Sequence, residues 1–156
     1  QELYDQLRQA QKNTPSYRFV TQVLAAGLVS ATLMYAFGGS WRDFIATFVI
    51  GGLGLFSATV AKRWLGLSFL DMFIAALVIG ASAVFCVNFG LAENVDNLII
   101  GAVMPLVPGV AITNSFRDIM AGDLISGIAR GIEAVFTAAA IGIGIAFILS
   151  VFGGVL

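Results

Sequence analysis

The stretch that decides the fold, Met104–Thr137, reads MPLVPGVAITNSFRDIMAGDLISGIARGIEAVFT. Pro105, Pro108 and Gly109 interrupt an uncharged run that covers residues 97–116. A proline lacks a backbone N–H and its ring clashes with the carbonyl four residues earlier, so each proline should leave one carbonyl free. At 1.5 Å per residue, Pro105 lies roughly 12 Å into the run. We therefore predict a helix that is broken near the middle of a membrane.

The composition places most of the chain in lipid. Its 156 residues are 59% hydrophobic and 11% charged, whereas a soluble domain has about 25% charged residues. The net charge of -1 indicates no basic surface for nucleic acid. Histidine is absent and Cys86 is the single cysteine, which excludes an internal disulfide, zinc sites and His-based catalytic triads. We therefore expect no enzyme, no cofactor and no metal site.

Five segments have the length that a bilayer requires, about 20 residues for a helix. They predict an all-α integral membrane protein with five transmembrane helices, the fourth of which is broken at the P-x-x-P-G motif. Residues 1–17 are interpreted as the end of a cytoplasmic helix from a soluble N-terminal region that is mostly absent. The transmembrane domain is predicted over 18–156, with spans at about 19–38, 42–61, 68–89, 97–117 and 123–152.

The distribution of Lys and Arg predicts the orientation of these spans. Five spans put the N-terminus, the 62–67 loop and the 117–123 loop on one side of the membrane. That side, counting Arg130 at the start of the last span, holds seven of the eight Lys and Arg residues, and the other side holds Arg42. We therefore expect a cytoplasmic N-terminus and a C-terminus outside.

Three predicted helices begin at an aspartate. The sequences SWRD at 40–43 and SFLD at 68–71 have the form of a capping box, in which an acidic side chain returns to the serine backbone. Asp43, Asp71 and Asp96 are therefore interpreted as capping residues that the helix dipole also favours.

The half-helix after the break is a candidate binding segment, because its N-terminus attracts an anionic group. Polar residues follow the break at helical spacings. Two other interpretations stay open: a simple proline kink filled by neighbouring side chains, and interfacial positions for Arg117 and Asp118. The predicted substrate-binding residues are Pro105, Pro108, Gly109, Thr113, Asn114 and Arg117.

The fifth span carries a polar stripe. At 100° per residue its polar positions between 123 and 137 fall within an arc of about 80°, and such a face is expected to meet protein or a water-filled cavity rather than lipid. Arg130 and Glu133 are close enough in sequence to pair, and Glu133, about ten residues deep, suits a proton-coupled step. Asp123 could instead cap the helix. The predicted proton-coupling residues are Asp118, Asp123, Ser126, Arg130 and Glu133.

The segment 105–134 closely resembles the bacterial threonine/serine exporter (ThrE) family, and a looser likeness, including FGGSWRD at 37–43, extends over the whole chain. The resemblance is to the N-terminal-type module with five spans. It implies secondary export of small hydrophilic solutes across the bacterial cytoplasmic membrane, driven by the proton gradient. It also implies a second membrane module, either fused or a separate small subunit. The expected partners are the lipid bilayer, such a module or a homo-oligomer, and a small amino acid or dicarboxylate substrate.

The function expected from these observations is a membrane subunit of a proton-coupled secondary exporter, with threonine and serine as first substrates. Two alternatives stay open. The chain could serve a dicarboxylate (succinate) exporter, because related two-subunit systems export such solutes, or it could be a structural membrane subunit that supports a partner module. An intramembrane enzyme is disfavoured, because the chain has no G-x-S-x-G motif and no histidine.

Overall fold

The computed structural model describes residues 19–66 and 69–152, and these are all-α with no strand. Four of the helices are long and apolar enough to cross a bilayer, and a further helix pair, bent by 53° at a short break, brings the number to five when it is counted as one span. The predicted fold class, five spans with a broken fourth one, is therefore confirmed. The helix expected within residues 1–17 lies outside the described residues. The elements are α1 (Phe19–Ala36), α2 (Asp43–Leu65), α3 (Leu70–Asn88), α4 (Val95–Val103), a 3₁₀ turn (Met104–Leu106), α5 (Gly109–Met120) and α6 (Leu124–Phe152).

The core forms where α4 enters the groove between α1 and α2. A Cβ at Gly101 of α4 would lie 2.5 Å from the Met34 Cβ and 2.8 Å from the Ser30 carbonyl oxygen. Only glycine permits so close an approach of helix backbones. Ile50, Ile79 and Leu98 belong to one hydrophobic cluster and are almost fully buried, so the core holds α4 in the bundle.

Helices α3 and α6 run in the same direction. Phe69 at the start of α3 packs against Phe136, with ring centroids 5.6 Å apart, and Gly80 further along α3 lies against Ile148. Along the bundle axis, the residues of α6 before Phe136 therefore lie beyond the start of α3. With 29 residues, α6 is roughly 43 Å long, which exceeds the hydrocarbon core of about 30 Å. It extends past α3 at the end of the bundle that holds Lys62 and the 121–123 turn, which we call the basic end.

Helices α5 and α6 form an antiparallel hairpin at the basic end. The buried Ser115 hydroxyl donates to the Gly127 carbonyl at 2.6 Å. A Cβ at Gly127 would lie 2.5 Å from the Ile119 Cγ1 and 2.9 Å from the Ser115 carbonyl oxygen. The hairpin contact therefore depends on a glycine at position 127.

Replacing Gly127 by alanine is expected to lower the free energy of unfolding by about 1–3 kcal/mol, because the new methyl group meets backbone atoms that cannot move aside. Thermal unfolding of the purified protein in detergent would measure the loss. Gly142→Ala is the matched control on the same helix, since a Cβ there meets no heavy atom within 4 Å. Equal unfolding temperatures for the two variants would contradict the prediction.

At the opposite end of the bundle, Asp43 joins α2 to the loop before α4. Its side chain is fully buried, its Oδ1 accepts the Glu93 N–H at 2.7 Å, and its Oδ2 is buried without a hydrogen-bond partner. The capping-box interpretation is therefore wrong for Asp43, because the loop, rather than Ser40, takes up its carboxylate. Ser68 lies outside the described residues.

The two other aspartates lie in the first turns of their helices, where the helix dipole favours a negative charge. Asp71 Oδ1 accepts the Met72 N–H at 2.9 Å. Helix α4 is capped by Asn94, whose Oδ1 accepts the Asp96 N–H at 2.9 Å. The capping interpretation is therefore wrong for Asp96, because Asn94 caps that helix, whereas the capping box at 68–71 stays a prediction.

An exposed ion pair lies at this end of the bundle. The Arg42 guanidinium lies 2.8 Å from Glu93 Oε1. Its hydrogen bond to Glu93 lowers the pKa of that carboxyl below the ordinary value, so the pair stays charged at neutral pH.

Candidate functional site

At the break between α4 and α5, the carbonyls four residues before each proline are hydrogen-bonded. The Met104 N–H donates to the Gly101 carbonyl, and the Val107 N–H donates to the Met104 carbonyl at 3.3 Å. The carbonyls four residues before the prolines were expected to be free. That expectation is wrong, because the 3₁₀ turn supplies donors three residues ahead in place of the missing proline N–H groups.

The break lies at mid-depth in the bundle. Leu106 is buried at 5% exposure. Its Cδ1 is 3.9 Å from a Cβ placed at Gly54, near the middle of α2, and the same Cβ would touch Ile79 of α3. The turn is therefore packed by α2 and α3 on one side, while Gly109 just after it is exposed with no heavy atom within 4 Å of a Cβ position.

The N-terminus of α5 presents backbone donors. Among the described residues, the Val110 and Ala111 N–H groups donate to no backbone carbonyl, as is usual in a first helical turn. The Thr113 hydroxyl donates back to the Gly109 carbonyl at 3.0 Å. Arg117 is exposed and lies two turns further on, roughly 12 Å from Gly109 along the helix. The predicted substrate residues are therefore spread along α5 rather than gathered at its start.

The polar stripe of α6 is exposed at the basic end. Asp123, Ser126, Arg130 and Glu133 are all exposed, and Asp123 and Ser126 line an open groove of about 600 Å³ beside the turn. No side-chain cap from Asp123 occurs within the described residues; its backbone carbonyl accepts the Gly127 N–H at 2.9 Å.

The ion pair of Arg130 crosses from α6 to α5. Its Nη1 lies 3.2 Å from Asp118 Oδ2. The contact does not have the geometry of a hydrogen bond, and this buried oxygen has no hydrogen-bond partner among the described residues. The contact is therefore an ion pair by distance and charge. The expected pairing of Arg130 with Glu133 is wrong, because the antiparallel packing of α5 brings Asp118 beside Arg130.

Glu133 instead belongs to a small cavity between three helices at the basic end, which we call the mixed-charge pocket. Its volume is about 250 Å³. Lys62 comes from the end of α2, Asp71 from the start of α3, and Glu133 with Thr137 from α6. The full lining is Lys62, Gly66, Phe69, Asp71, Met72, Glu133 and Thr137.

Sequence reasoning singled out Glu133 but missed its neighbours in this pocket. Lys62 was counted only as an orientation charge, and Asp71 only as a helix cap. The available signal was their position, because both stand at span ends that the Lys and Arg distribution assigns to the same side as the start of α6.

A larger groove between α5 and α6 is apolar. Its volume is about 630 Å³ and it is lined mainly by exposed isoleucine, valine and phenylalanine side chains, including Phe116, Ile132 and Phe136. Such a surface suits lipid tails or another transmembrane helix rather than a polar solute.

Comparison with protein families gives one match over nearly the whole chain. The family profile described as "Putative threonine/serine exporter" (ThrE) matches residues 1–152. Comparison with curated proteins and with solved structures gives no match.

Proposed function

Because the chain belongs to the threonine/serine exporter family, a family of transporters rather than enzymes, we propose that it is a membrane subunit of a proton-coupled secondary exporter of threonine and serine. The observation that carries the proposal is the broken span. Helices α4 and α5 bend by 53° at a turn packed at mid-depth, and interrupted helices at this depth are a recurring way to build the sites of secondary transporters.

The proposed substrate site is at the start of α5. The unpaired N–H groups of Val110 and Ala111, together with the positive end of the helix dipole, suit a substrate carboxylate. Pro105 and Pro108 set the turn that exposes these groups, and Gly109 leaves them uncovered. In this proposal Thr113, Asn114 and Arg117 line the path from the site along α5.

The proposed location is the bacterial cytoplasmic membrane, with the N-terminus inside and the C-terminus outside. Lys62, Arg63, Arg117 and Arg130 support this orientation, since positive residues favour the cytoplasmic side and all four stand at the basic end. The mixed-charge pocket and the 121–123 turn would then face the cytoplasm.

Proton coupling is proposed to use the polar residues of the hairpin. Glu133 is the first of these, because it is a carboxylate in a cavity that reaches three helices. Asp118 and Arg130 form an ion pair beside it, and Asp123 and Ser126 continue the exposed stripe towards the turn.

A second membrane module, or another copy of this chain, is proposed to cover α5. This helix packs mainly on α6, and its apolar side chains stay exposed, with Val110 at 74% and Met120 at 87%. A partner there would enclose the start of α5 and the path along it.

Reconstitution in vesicles tests this function. With an imposed pH gradient, threonine and serine are expected to cross the membrane, and a proton-conducting ionophore is expected to stop the flux. The protein should be measured alone and with its partner module, against protein-free vesicles. Flux that does not depend on the pH gradient would contradict proton coupling. The absence of flux of both amino acids when both modules are present would contradict the exporter function.

A further inference from the structure

We propose that the mixed-charge pocket is a binding site for a small zwitterion, a molecule that carries an ammonium group and a carboxylate group close together. The site differs in its lining from the one proposed at the start of α5, because its charged residues belong to α2, α3 and α6. The inference rests on the proposed function in one respect only, namely that the bound zwitterion is a transport substrate.

The charged groups of the pocket are not paired with one another. Within the part of the chain that the structure describes, neither Asp71 nor Glu133 has an oxygen within 4.0 Å of the Lys62 ammonium. The charges of the neighbouring hairpin do pair, as Arg130 and Asp118 do at 3.2 Å. One positive and two negative groups therefore surround the same cavity and are free to meet charges of a ligand.

Asp71 gives the strongest indication that a cation belongs in the pocket. Asp71 is only 5% exposed and its Oδ1 accepts the Met72 N–H at 2.9 Å, yet among the described residues no Lys or Arg nitrogen lies within 4.0 Å of its carboxylate. A buried carboxylate without a counter-charge costs several kcal/mol. An ammonium group in the pocket would supply the opposite charge.

The charged residues of the pocket match both the ammonium group and the carboxylate group of an amino acid. Asp71 and Glu133 lie on α3 and α6, where they can accept N–H donors of the ammonium, and Lys62 on α2 can meet the carboxylate. The Thr137 hydroxyl donates to the Glu133 carbonyl at 2.9 Å, which leaves its oxygen lone pairs to accept from the ligand. Phe69 and Met72 give the cavity an apolar wall for a short side chain.

Size and charge also discriminate between the two substrate classes. The cavity of about 250 Å³ lies below the roughly 300–1,000 Å³ of pockets for drug-sized ligands, as a site for a small metabolite should. A dicarboxylate would bring two negative charges towards two protein carboxylates with only Lys62 to offset them, and like charges in one site cost several kcal/mol. The pocket therefore favours a zwitterion over succinate.

Calorimetric titration of the purified full chain tests the site without a gradient or a partner. The ligands are L-threonine, its methyl ester (which keeps only the ammonium), N-acetylthreonine (which keeps only the carboxylate) and succinate. Threonine is expected to bind about tenfold or more tightly than the other three, because each of them loses a charge contact. Succinate that binds as tightly as threonine would overturn the proposal.

Variants assign each end of the ligand to its residue. Asp71→Asn and Lys62→Gln are each expected to weaken threonine binding about tenfold or more, and Asp96→Asn, at the exposed opposite end, should leave it unchanged. The methyl ester should respond to Asp71→Asn but not to Lys62→Gln, which separates loss of a contact from misfolding. If both pocket variants bind threonine as tightly as the Asp96→Asn variant does, the inference is wrong.

Transport measured on the same variants separates this inference from the proposed function. Threonine efflux that persists in full with Asp71→Asn and Lys62→Gln would overturn the pocket and leave the exporter function standing. Threonine binding that depends on these residues, without efflux in the presence of the partner, would support the pocket and overturn the exporter function.

Discussion

Glu133→Gln is expected to abolish proton-driven efflux of threonine, reducing it to the level of protein-free vesicles. Glutamine keeps the size and hydrogen-bonding capacity of the side chain, but it neither takes up a proton nor carries a negative charge. Glu133 is exposed towards the mixed-charge pocket and makes no ion pair within the described residues. Folding should therefore be unaffected, because no stabilising charge contact is removed.

The experiment compares efflux with the amount of protein in the membrane and with the temperature of unfolding. Asp96→Asn is the matched control, since it makes the same chemical change at an exposed position in the first turn of α4. Full efflux by Glu133→Gln would remove Glu133 from the transport mechanism. A loss of efflux that is matched by a loss of protein from the membrane would also count against the prediction.

Gly101→Leu is expected to destabilise the bundle by about 3 kcal/mol, the largest effect that we expect of a substitution in the core. A Cβ at Gly101 would already lie 2.5 Å from Met34 Cβ and 2.8 Å from Thr47 Cγ2. The leucine side chain must therefore push α4 out of the groove between α1 and α2. Because the 3₁₀ turn follows directly on α4, the break would move with it.

Thermal unfolding in detergent measures this loss, and Gly142→Leu is its control, because a Cβ at Gly142 meets no heavy atom within 4 Å. The control is expected to stay within about 0.5 kcal/mol of the native protein, like other substitutions away from packed features. If the two leucine variants unfold at the same temperature, α4 is not held by the glycine contact.

The broken span could be predicted from sequence because its cause is local. Pro105 and Pro108 cannot donate backbone hydrogen bonds wherever they stand in a helix, so the interruption follows from the residues themselves. The response of the neighbouring backbone was less predictable. The 3₁₀ turn at Met104–Leu106 satisfies carbonyls that proline chemistry alone would leave free.

The candidate site could be predicted only in part, because its remaining contacts join helices that are distant in sequence. The pocket forms because α3 and α6 are parallel, and that packing depends on contacts such as Gly144 with Ala76. Helical periodicity places Arg130 near Glu133, yet it says nothing of Asp118 on the facing helix. Burial of Asp43 likewise depends on a loop fifty residues away.

The tryptophans at the two ends of α2 are spaced to suit the two surfaces of a lipid bilayer. Trp41 and Trp64 are 70% and 87% exposed and stand roughly 35 Å apart along the helix axis, a spacing that suits a hydrocarbon core of about 30 Å with an aromatic side chain in each headgroup layer. Lys62 is two residues from Trp64, so in the proposed orientation the pocket would open at headgroup depth. A solute would arrive there with most of its hydration shell. The costly removal of that water would be confined to the next roughly 12 Å, between Lys62 and the level of Gly54 beside the break.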